Sequence, residues 1–303
     1  MKEDYCIGID LGTTYSCLAY IDGEGNPVVE KNFEQEDTTP SVVLFNENGE
    51  IIIGSPAKDM AVMYPANRII TAVKRQIGTD YKVNIDGDIY TPVTLSAAIL
   101  KKMINDFNEA HGCDVKRAVI TCPAYFGQNE RDSTKYAGKI AGLDDVTIIN
   151  EPTAAAISFG YGGDGSRKRV IVYDLGGGTF DVTVLEIEGN SFTAVATDGE
   201  RLLGGKDWDR ALAALIKNKV SQSSGISVAE IEDDRDAAVT LEIDTESIKK
   251  RLTTAESTRG TLTVGGIKTV YSVTRAEFES ATAPLLNRTL EIIDGALASG
   301  SFT

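Results

Sequence analysis

A chain of 303 residues can hold two domains of ordinary size, and its formal net charge of −15 excludes a broad electrostatic interface with nucleic acid or with an anionic membrane. Hydrophobic residues make up 42% and charged residues 25%, which is typical of a globular protein and excludes a disordered or fibrous one. No run approaches the roughly 18 to 20 apolar residues of a membrane span, and the start MKEDYCIGIDLG lacks the apolar core of a signal peptide, so we expect a cytoplasmic location.

Cysteine and histidine, the usual residues of zinc sites and nucleophilic triads, are few. The four cysteines, at positions 6, 17, 113 and 122, form no CxxC pair and have no spacing to His111 that suits zinc. A cysteine-ligated metal and a histidine-based triad are therefore excluded. We expect core thiols, and an imidazole at a helix end because His111 lies in EAHG.

The first half of the chain mixes strand and helix patterns. In chain order the predicted elements are strands at 5–10 and 16–21, a hairpin at 41–45 and 50–53, a helix at 94–112, a strand at 117–126, a helix at 129–143, a strand at 146–152 and a helix at 153–161. The helix at 94–112 places Ile99, Met103 and Phe107 on one face, so it should pack on a core.

The second half begins after a glycine-rich, charged segment at 160–168, where we place a boundary between two lobes. Its predicted elements are strands at 169–174 and 180–187, helices at 208–225 and 236–257, a hairpin at 261–273 and a long helix at 274–299. TRAE at 274–277 is a capping box that starts this last helix, and Pro284 should kink it.

One unusual phrase occurs twice: DLGTTYS at 10–16 and DLGGGTF at 174–180, each in the bend of a predicted hairpin. A Gly/Thr turn presents several backbone N–H groups to one anion, and its small side chains let a phosphate approach closely. The acids before the turns, Asp10 and Asp174, would repel phosphate unless a hard cation such as Mg²⁺ lay between them. The P-loop motif GxxxxGK[ST] does not occur in the sequence. We therefore predict a different kind of phosphate-binding site, in which two turns face each other across a cleft.

Several longer phrases identify a family. They are IGIDLGTTYSC at 7–17, AVKRQIG at 72–78, VITCPAYFGQNERDSTKYAGKIAGL at 119–143, INEPTAAAISFGYG at 149–162, VYDLGGGTFDVTVLEI at 172–187 and LLGGKDWD at 202–209. From about residue 5 to its end the chain closely resembles the nucleotide-binding domain of the seventy-kilodalton heat-shock chaperones, the DnaK-type family.

The resemblance implies an α/β protein with a two-lobed actin-like ATPase fold and duplicated ribonuclease-H-like cores, each with an inserted subdomain. Lobe I would span 1–165, with its core at 1–42 and 119–165 and its insert at 43–118. Lobe II would span 166–303, with core 166–208, insert 209–280 and the start of a returning helix at 281–303. ATP or ADP, Mg²⁺ and K⁺ are the ligands that the resemblance implies.

The resemblance also assigns residues to the phosphate end of the nucleotide. Phosphate contacts would come from Gly12, Thr13, Thr14, Tyr15, Gly176, Gly177, Gly178 and Thr179, and metal contacts from Asp10, Asp174 and Asp181, with Asp10 holding the water shell of the metal. Lys74 would reach the terminal phosphate and the attacking water, Glu151 and Asp181 would position that water, and Thr179 would lie beside the terminal phosphate. Three plainer alternatives stay open: a solvated lysine for Lys74, a helix cap for Glu151 and a turn acid for Asp181.

At the adenosine end the resemblance assigns Gly204, Gly205, Glu246, Lys249, Lys250 and Thr253. Many members of the family have an arginine that stacks on the base where this chain has Lys250, a poorer planar partner. A charged helix that only faces solvent is the alternative for this group.

In the family a further strand and a Gly-Gly-Ser turn close the adenosine pocket, whereas VGGIKT at 264–269 reads as an ordinary hairpin. We therefore expect a fragment, with an open strand edge in lobe II and without the domain through which unfolded peptide would bind. A J-domain co-chaperone and a nucleotide-exchange factor are partners by resemblance only.

Two other functions on the same fold stay open. A small-molecule kinase of the sugar type would need an acceptor pocket, and its ATP turnover would rise with the right acceptor. An actin-like filament protein would sediment with ATP, and a nonenzymatic remnant would bind ATP without turnover.

Overall fold

The computed structural model describes residues 5–160 and 166–300. The chain divides into two compact units, one of residues 1–201 with 296–303 and one of residues 202–295. Residues 161–165, within the predicted lobe boundary and at the end of the helix predicted for 153–161, lie outside the described residues. The division into lobes at residue 165 stays a prediction.

The first unit contains fourteen strands among its described residues. They are β1 (Cys6–Asp10), β2 (Tyr15–Ile21), β3 (Pro27–Glu30), β4 (Thr39–Pro40), β5 (Val42–Phe45), β6 (Ile51–Ile53), β7 (Ile69–Thr71), β8 (Val83–Ile85), β9 (Asp88–Tyr90), β10 (Arg117–Cys122), β11 (Asp145–Asn150), β12 (Arg167–Leu175), β13 (Phe180–Glu188) and β14 (Ser191–Glu200). Its helices are α1 (Ser55–Met60), α2 (Pro92–His111), α3 (Gln128–Ile140) and α4 (Glu151–Ser158), with 3-10 turns at Ala61–Met63, Ala66–Arg68 and Val73–Gln76.

Two sheets of this unit carry the repeated phrases. The first has the order β11-β10-β1-β2-β3, in which β1 is antiparallel to β2 and parallel to β10. The second has the order β12-β13-β14 and is antiparallel throughout. In the described part of the chain β12 is an edge strand, whereas its counterpart β1 is paired on both sides.

The main core of the first unit lies between the first sheet and α2. Ile7 and Ile9 of β1 are 1% exposed, and Leu100 and Phe107 of α2 are fully buried. Alternate residues of β1 thus face the same core that the apolar face of α2 covers, as its helical spacing predicted. This packing holds the end of β1, and with it Asp10 and the following turn, in a fixed place.

The second unit is built from α5 (Gly205–Ser224), α6 (Val228–Asp233), α7 (Arg235–Leu252), the hairpin of β15 (Ser257–Val264) and β16 (Ile267–Thr274), and α8 (Arg275–Ser299) up to residue 295. The predicted capping box of α8 is confirmed, since Thr274 N donates to Glu277 Oε2 at 2.9 Å and Glu277 N donates to Thr274 Oγ1 at 3.2 Å. The helix continues through Pro284, and a kink there stays a prediction. VGGIKT is a hairpin turn, as expected.

The α/β class is confirmed, and the element predictions need some corrections. The sequence predictions missed strands β3, β4, β7, β8, β9 and β14 and helices α1 and α6. The strand predicted to reach residue 126 ends at Cys122. The helix predicted for 236–257 ends at Leu252, because the chain turns there towards β15.

The expectations for histidine and cysteine had mixed outcomes. His111 ends α2, stacks on Phe107 with ring centroids 4.2 Å apart and contacts Glu30 Oε2 at 2.9 Å, so the helix-end prediction is confirmed. The expectation of core thiols is right for Cys122, which is buried, and wrong for Cys6, which is exposed.

No helix of the described chain is long and apolar enough to cross a membrane.

Candidate nucleotide site

The two repeated phrases form two hairpin turns of the first unit. Asp10 lies opposite Cys17 at the end of the β1–β2 ladder. In the second hairpin Asp174 lies opposite Asp181, and the turn is closed by Gly176 N, which donates to Thr179 O at 2.9 Å. Each turn therefore follows directly from an aspartate at the end of a strand.

The first turn is held in place by Ser41, a residue that the sequence analysis did not single out. Ser41 N donates to Thr14 O and its hydroxyl donates to Gly12 O, both at 2.8 Å. Glycine is required at position 12, because a β-carbon there would overlap the carbonyl of Tyr15. The hydroxyl of Tyr15 is bonded to Lys58 Nζ at 2.7 Å, so Tyr15 can serve this turn through its backbone.

The two turns touch each other. A β-carbon built on Gly177 would overlap the side chain of Thr14, which shows that the second turn lies against the first. Arg75 donates to the carbonyl of Gly178 and fills the space where a β-carbon of that residue would be. The prediction that the two turns lie together is confirmed, but they touch directly where a cleft between them was expected.

Lys74 and Glu151 form a buried ion pair beside these turns. Lys74 lies in the 3-10 turn Val73–Gln76, Glu151 is the first residue of α4, and their Nζ and Oε1 atoms are 2.5 Å apart. The two side chains are only 11% and 14% exposed. The alternative of a solvated Lys74 is therefore wrong. The alternative of a Glu151 cap is also wrong, since α4 has Asn150 at its N-cap and no side-chain cap bond.

Burial and charge shift the pKa values of this pair. Burial lowers the pKa of Lys74, but the charges of Glu151 and Asp10 outweigh it, so the pKa of Lys74 ends above its ordinary value. Burial raises the pKa of Glu151, and the attraction of Lys74 offsets only part of that rise. Lys74 thus remains a fixed buried cation among several acids.

The remaining carboxylates lie in the same electrostatic environment. Asp181 is 8% exposed, and burial, together with the charges of Glu151 and Asp174, raises its pKa to about 7. Burial and then the charge of Asp10 raise the pKa of Asp174. Asp10 Oδ1 accepts a hydrogen bond from Thr121 at 2.9 Å. Four carboxylates that share one buried lysine form a site that a further cation would stabilise.

The donor set fits a hard cation that keeps its water shell. Among the described residues no three His, Cys, Asp or Glu side chains stand close enough to hold a metal ion together. Metal contacts by Asp10, Asp174 and Asp181 stay a prediction, and carboxylate oxygens are ligands that a hard, hydrated cation accepts. In the described part of the chain Thr14 Oγ1 and Asp181 Oδ1 are buried without a hydrogen-bond partner. An unpartnered buried oxygen beside each turn is what a bound, hydrated ligand would satisfy.

The residues predicted for adenosine lie in the second unit, and only some of them meet. Gly204 caps α5, where its N–H donates to Asp207 Oδ2 at 2.9 Å. Lys249 Nζ of α7 donates to Gly205 O at 3.2 Å and lies 2.8 Å from Asp209 Oδ1. The glycine pair and one predicted lysine are thus brought together.

The other three predicted residues form local contacts of α7. Lys250 Nζ lies 2.9 Å from Glu246 Oε1, and Lys250 is 70% exposed. Thr253 Oγ1 donates to Lys250 O at 2.7 Å. The exposure of Lys250 is also what the solvent-facing alternative expects, so the adenosine role of this face stays a prediction.

Comparison with known proteins shows the family of the chain. The model of the Hsp70 protein family matches residues 6–88 and 79–303. The chain belongs to the Hsp70 family. The resemblance seen in the motifs is thereby confirmed, and the matched region is the nucleotide-binding part of Hsp70 proteins.

The similar relatives are chaperones. The chain is 43% identical to the chaperone protein DnaK of Thermotoga petrophila, 42% identical to that of Thermosipho melanesiensis and 43% identical to that of Thermotoga maritima, over 98% of this chain in each case. It spans 50% of the length of each of these relatives.

Proposed function

We propose that this chain binds ATP and hydrolyses it to ADP and phosphate, as the nucleotide-binding part of an Hsp70-type protein-folding chaperone. The observation that carries the proposal is the contact between the two Gly/Thr turns, with the buried Lys74–Glu151 pair beside them. Membership of the Hsp70 family supports it independently.

The turns supply the groups that hold the phosphates. Backbone N–H groups of residues 12–15 and 177–179 form anion nests, and the hydroxyls of Thr13, Thr14 and Thr179 add donors. Thr14 Oγ1 is buried without a partner in the described part of the chain, so a phosphate oxygen at this point would satisfy it. We propose that the adenosine end contacts Gly204, Gly205, Glu246, Lys249, Lys250 and Thr253.

Hydrolysis of ATP depends on the positioning of the reacting groups and on electrostatic stabilisation, and it needs no covalent intermediate with the protein. The oxygen of a water molecule attacks the terminal phosphorus, the bond to the bridging oxygen breaks, and ADP leaves with that electron pair. Glu151 and Asp181 orient the water, the ionised carboxylate of Asp181 accepts its proton, and Lys74 stabilises charge on the terminal phosphate. Thr179 lies beside that phosphate in this proposal.

Mg²⁺ fits the carboxylate site, and when bound it would neutralise phosphate charge. We propose that Asp10, Asp174 and Asp181 hold it through its water shell. Mg²⁺ binding requires an ionised Asp181, and the added positive charge would lower the pKa of that carboxyl. K⁺ is proposed for the same site by resemblance alone.

The other roles proposed belong to the longer proteins that this chain matches. We propose a J-domain co-chaperone and a nucleotide-exchange factor as partners, and a role in the stress response in the cytoplasm. Unfolded peptide would be bound by the half of the relatives that this chain does not match. Nucleic acid is not expected as a partner, because the net charge is −15.

Calorimetric titration with MgATP and single-turnover hydrolysis test the proposal. The wild-type chain should bind and hydrolyse ATP, and Lys74→Ala should still bind but hydrolyse about 10³-fold more slowly, since one cation at about 4 Å is worth roughly 4 kcal/mol at an effective dielectric of 20. Lys116→Ala is the matched control, because it removes an exposed lysine whose contacts are with Asp114 and with the carbonyl of Gly142.

Three outcomes would contradict the proposal. Absence of MgATP binding by the wild-type chain would refute the nucleotide site itself. Equal rates for wild type and Lys74→Ala would refute the catalytic assignment. Turnover that rises sharply with a small hydroxyl acceptor would instead indicate a kinase.

A further inference from the structure

Arg201 is a cation of the nucleotide site that no motif indicated. It directly follows β14, which ends at Glu200, and precedes the phrase LLGGKDWD. The structure places it on the wall of a pocket that Thr13, Lys74 and Thr179 also line. Lys74 and Thr179 are the residues assigned to the terminal phosphate, and Thr13 is assigned a phosphate contact, so Arg201 lines the same pocket as the phosphate end of the proposed site.

The contacts of Arg201 are loose. Its guanidinium carbon lies 5.1 Å from the ring centroid of Tyr125, and its Nη2 lies 3.9 Å from Glu130 Oε1, which is beyond hydrogen-bond distance. The side chain is 51% exposed. A half-exposed ion pair of this length contributes little, so Arg201 can leave Glu130 at small cost.

Tyr125 links Arg201 electrostatically to the catalytic groups. Burial and then the charge of Asp181 raise the pKa of Tyr125 to about 12, against the charges of Arg201 and Lys74, which lower it. The partly buried hydroxyl of Tyr125 thus interacts electrostatically with both cations and with a carboxylate of the proposed site. Arg75, the other arginine of the pocket, is already bonded to the carbonyl of Gly178, which makes Arg201 the better candidate for a ligand.

We propose that Arg201 binds the terminal phosphate of ATP and moves from Glu130 to do so, which makes it a determinant of preference for ATP over ADP. The planar guanidinium donates pairs of hydrogen bonds to phosphate oxygens, a geometry that lysine cannot match. ADP lacks the group that Arg201 would contact, so the arginine would add affinity for the triphosphate alone. This inference rests on the proposed ATPase function and adds a residue to it.

Calorimetry with MgATP and MgADP on Arg201→Gln, Arg201→Lys and wild type tests the inference. Arg201 is half-exposed, so solvent and salt screen its charge and its loss should change affinity less than the loss of a buried cation would. We expect Arg201→Gln to weaken MgATP binding by about tenfold and MgADP binding by less than twofold. Arg201→Lys should fall between, because it keeps the charge and loses the planar fork. The loss of MgATP affinity should shrink when KCl is raised from about 0.05 to 0.5 M.

Two further variants make the result specific. Arg167→Gln removes an exposed arginine at the end of β12 remote from the turn, and it should change neither affinity. Glu130→Gln frees Arg201, so it should strengthen MgATP binding in the wild-type background and have no effect in Arg201→Gln.

The outcomes separate this inference from the proposal beneath it. A wild-type chain that does not bind MgATP overturns both. A wild-type chain that binds and hydrolyses ATP, with Arg201→Gln unchanged or weakened equally for ATP and ADP, overturns only the role of Arg201. Thermal unfolding of each variant checks that a loss of binding is not a loss of fold.

Discussion

The contact between the two turns can be tested by adding one methyl group. A β-carbon on Gly177 would lie 2.7 Å from the β-carbon of Thr14 and still closer to its hydroxyl. Non-bonded carbons settle about 3.5 to 4 Å apart, so Gly177→Ala must separate the turns by roughly 1 Å. Ser41 holds the backbone of the first turn, which leaves the movement to the second.

The size of the effect follows from this overlap. Overpacking of this kind costs about 1 to 3 kcal/mol of unfolding free energy. For a unit of 150 to 250 residues each kcal/mol lowers the melting temperature by about 2 to 4 °C, so a fall of about 2 to 12 °C is expected. A displacement of about 1 Å at a catalytic site should also slow ATP hydrolysis about 10²-fold.

A double-mutant cycle identifies the cause. Thr14→Gly removes the side chain that the new methyl meets, so the pair Thr14→Gly and Gly177→Ala should be more stable than the sum of the single changes, by at least about 1 kcal/mol. Gly8→Ala is the matched control, because a β-carbon there lies 3.8 Å from Ala19 O and meets no overlap. Additivity within about 0.5 kcal/mol would refute the contact between the turns.

Three other predictions concern charge, turn support and the second unit. The pKa of Asp181 is raised in the folded state. The wild-type chain, free of metal and nucleotide, should therefore lose stability as pH rises from about 4 to 7. Over that range Asp181→Asn should become more stable than the wild type by up to about 4 kcal/mol, with no further gain at higher pH, and melting curves of the two chains that stay parallel with pH would contradict this. Ser41→Ala should lower the unfolding free energy by about 1 to 3 kcal/mol and weaken MgATP binding, because it leaves the Gly12 carbonyl without its donor; an unchanged melting temperature and affinity would exclude the support role. Thr274→Ala should lower the free energy of unfolding in denaturant by about 1 kcal/mol, because it removes the capping box with Glu277. MgADP binding should not change, and a change in that binding would show that the cap acts on the site.

The sequence by itself determined the local structure and the chemistry of the turns. The helical spacing of apolar residues in α2, the capping box of α8 and the two Gly/Thr turns depend on neighbours within a few residues, and local sequence records such patterns directly. Strand β14 was missed because most of its alternating positions are exposed, which leaves little hydrophobic signal. Helix α6 has a local sequence signal in its capping box of Ser227 and Glu230.

The tertiary structure alone decided which distant residues meet. Lys74 and Glu151 are 77 positions apart, and only the packing of the chain shows that they form a buried pair rather than a solvated lysine and a helix cap. Ser41 and Arg201 carry no local motif. Ser41 is found through its hydrogen bond to Gly12, and Arg201 through its place in the lining of a pocket. Burial, which raises the pKa of Asp181 to about 7, is likewise a property of the whole packed unit, because it depends on what excludes water from around the carboxylate.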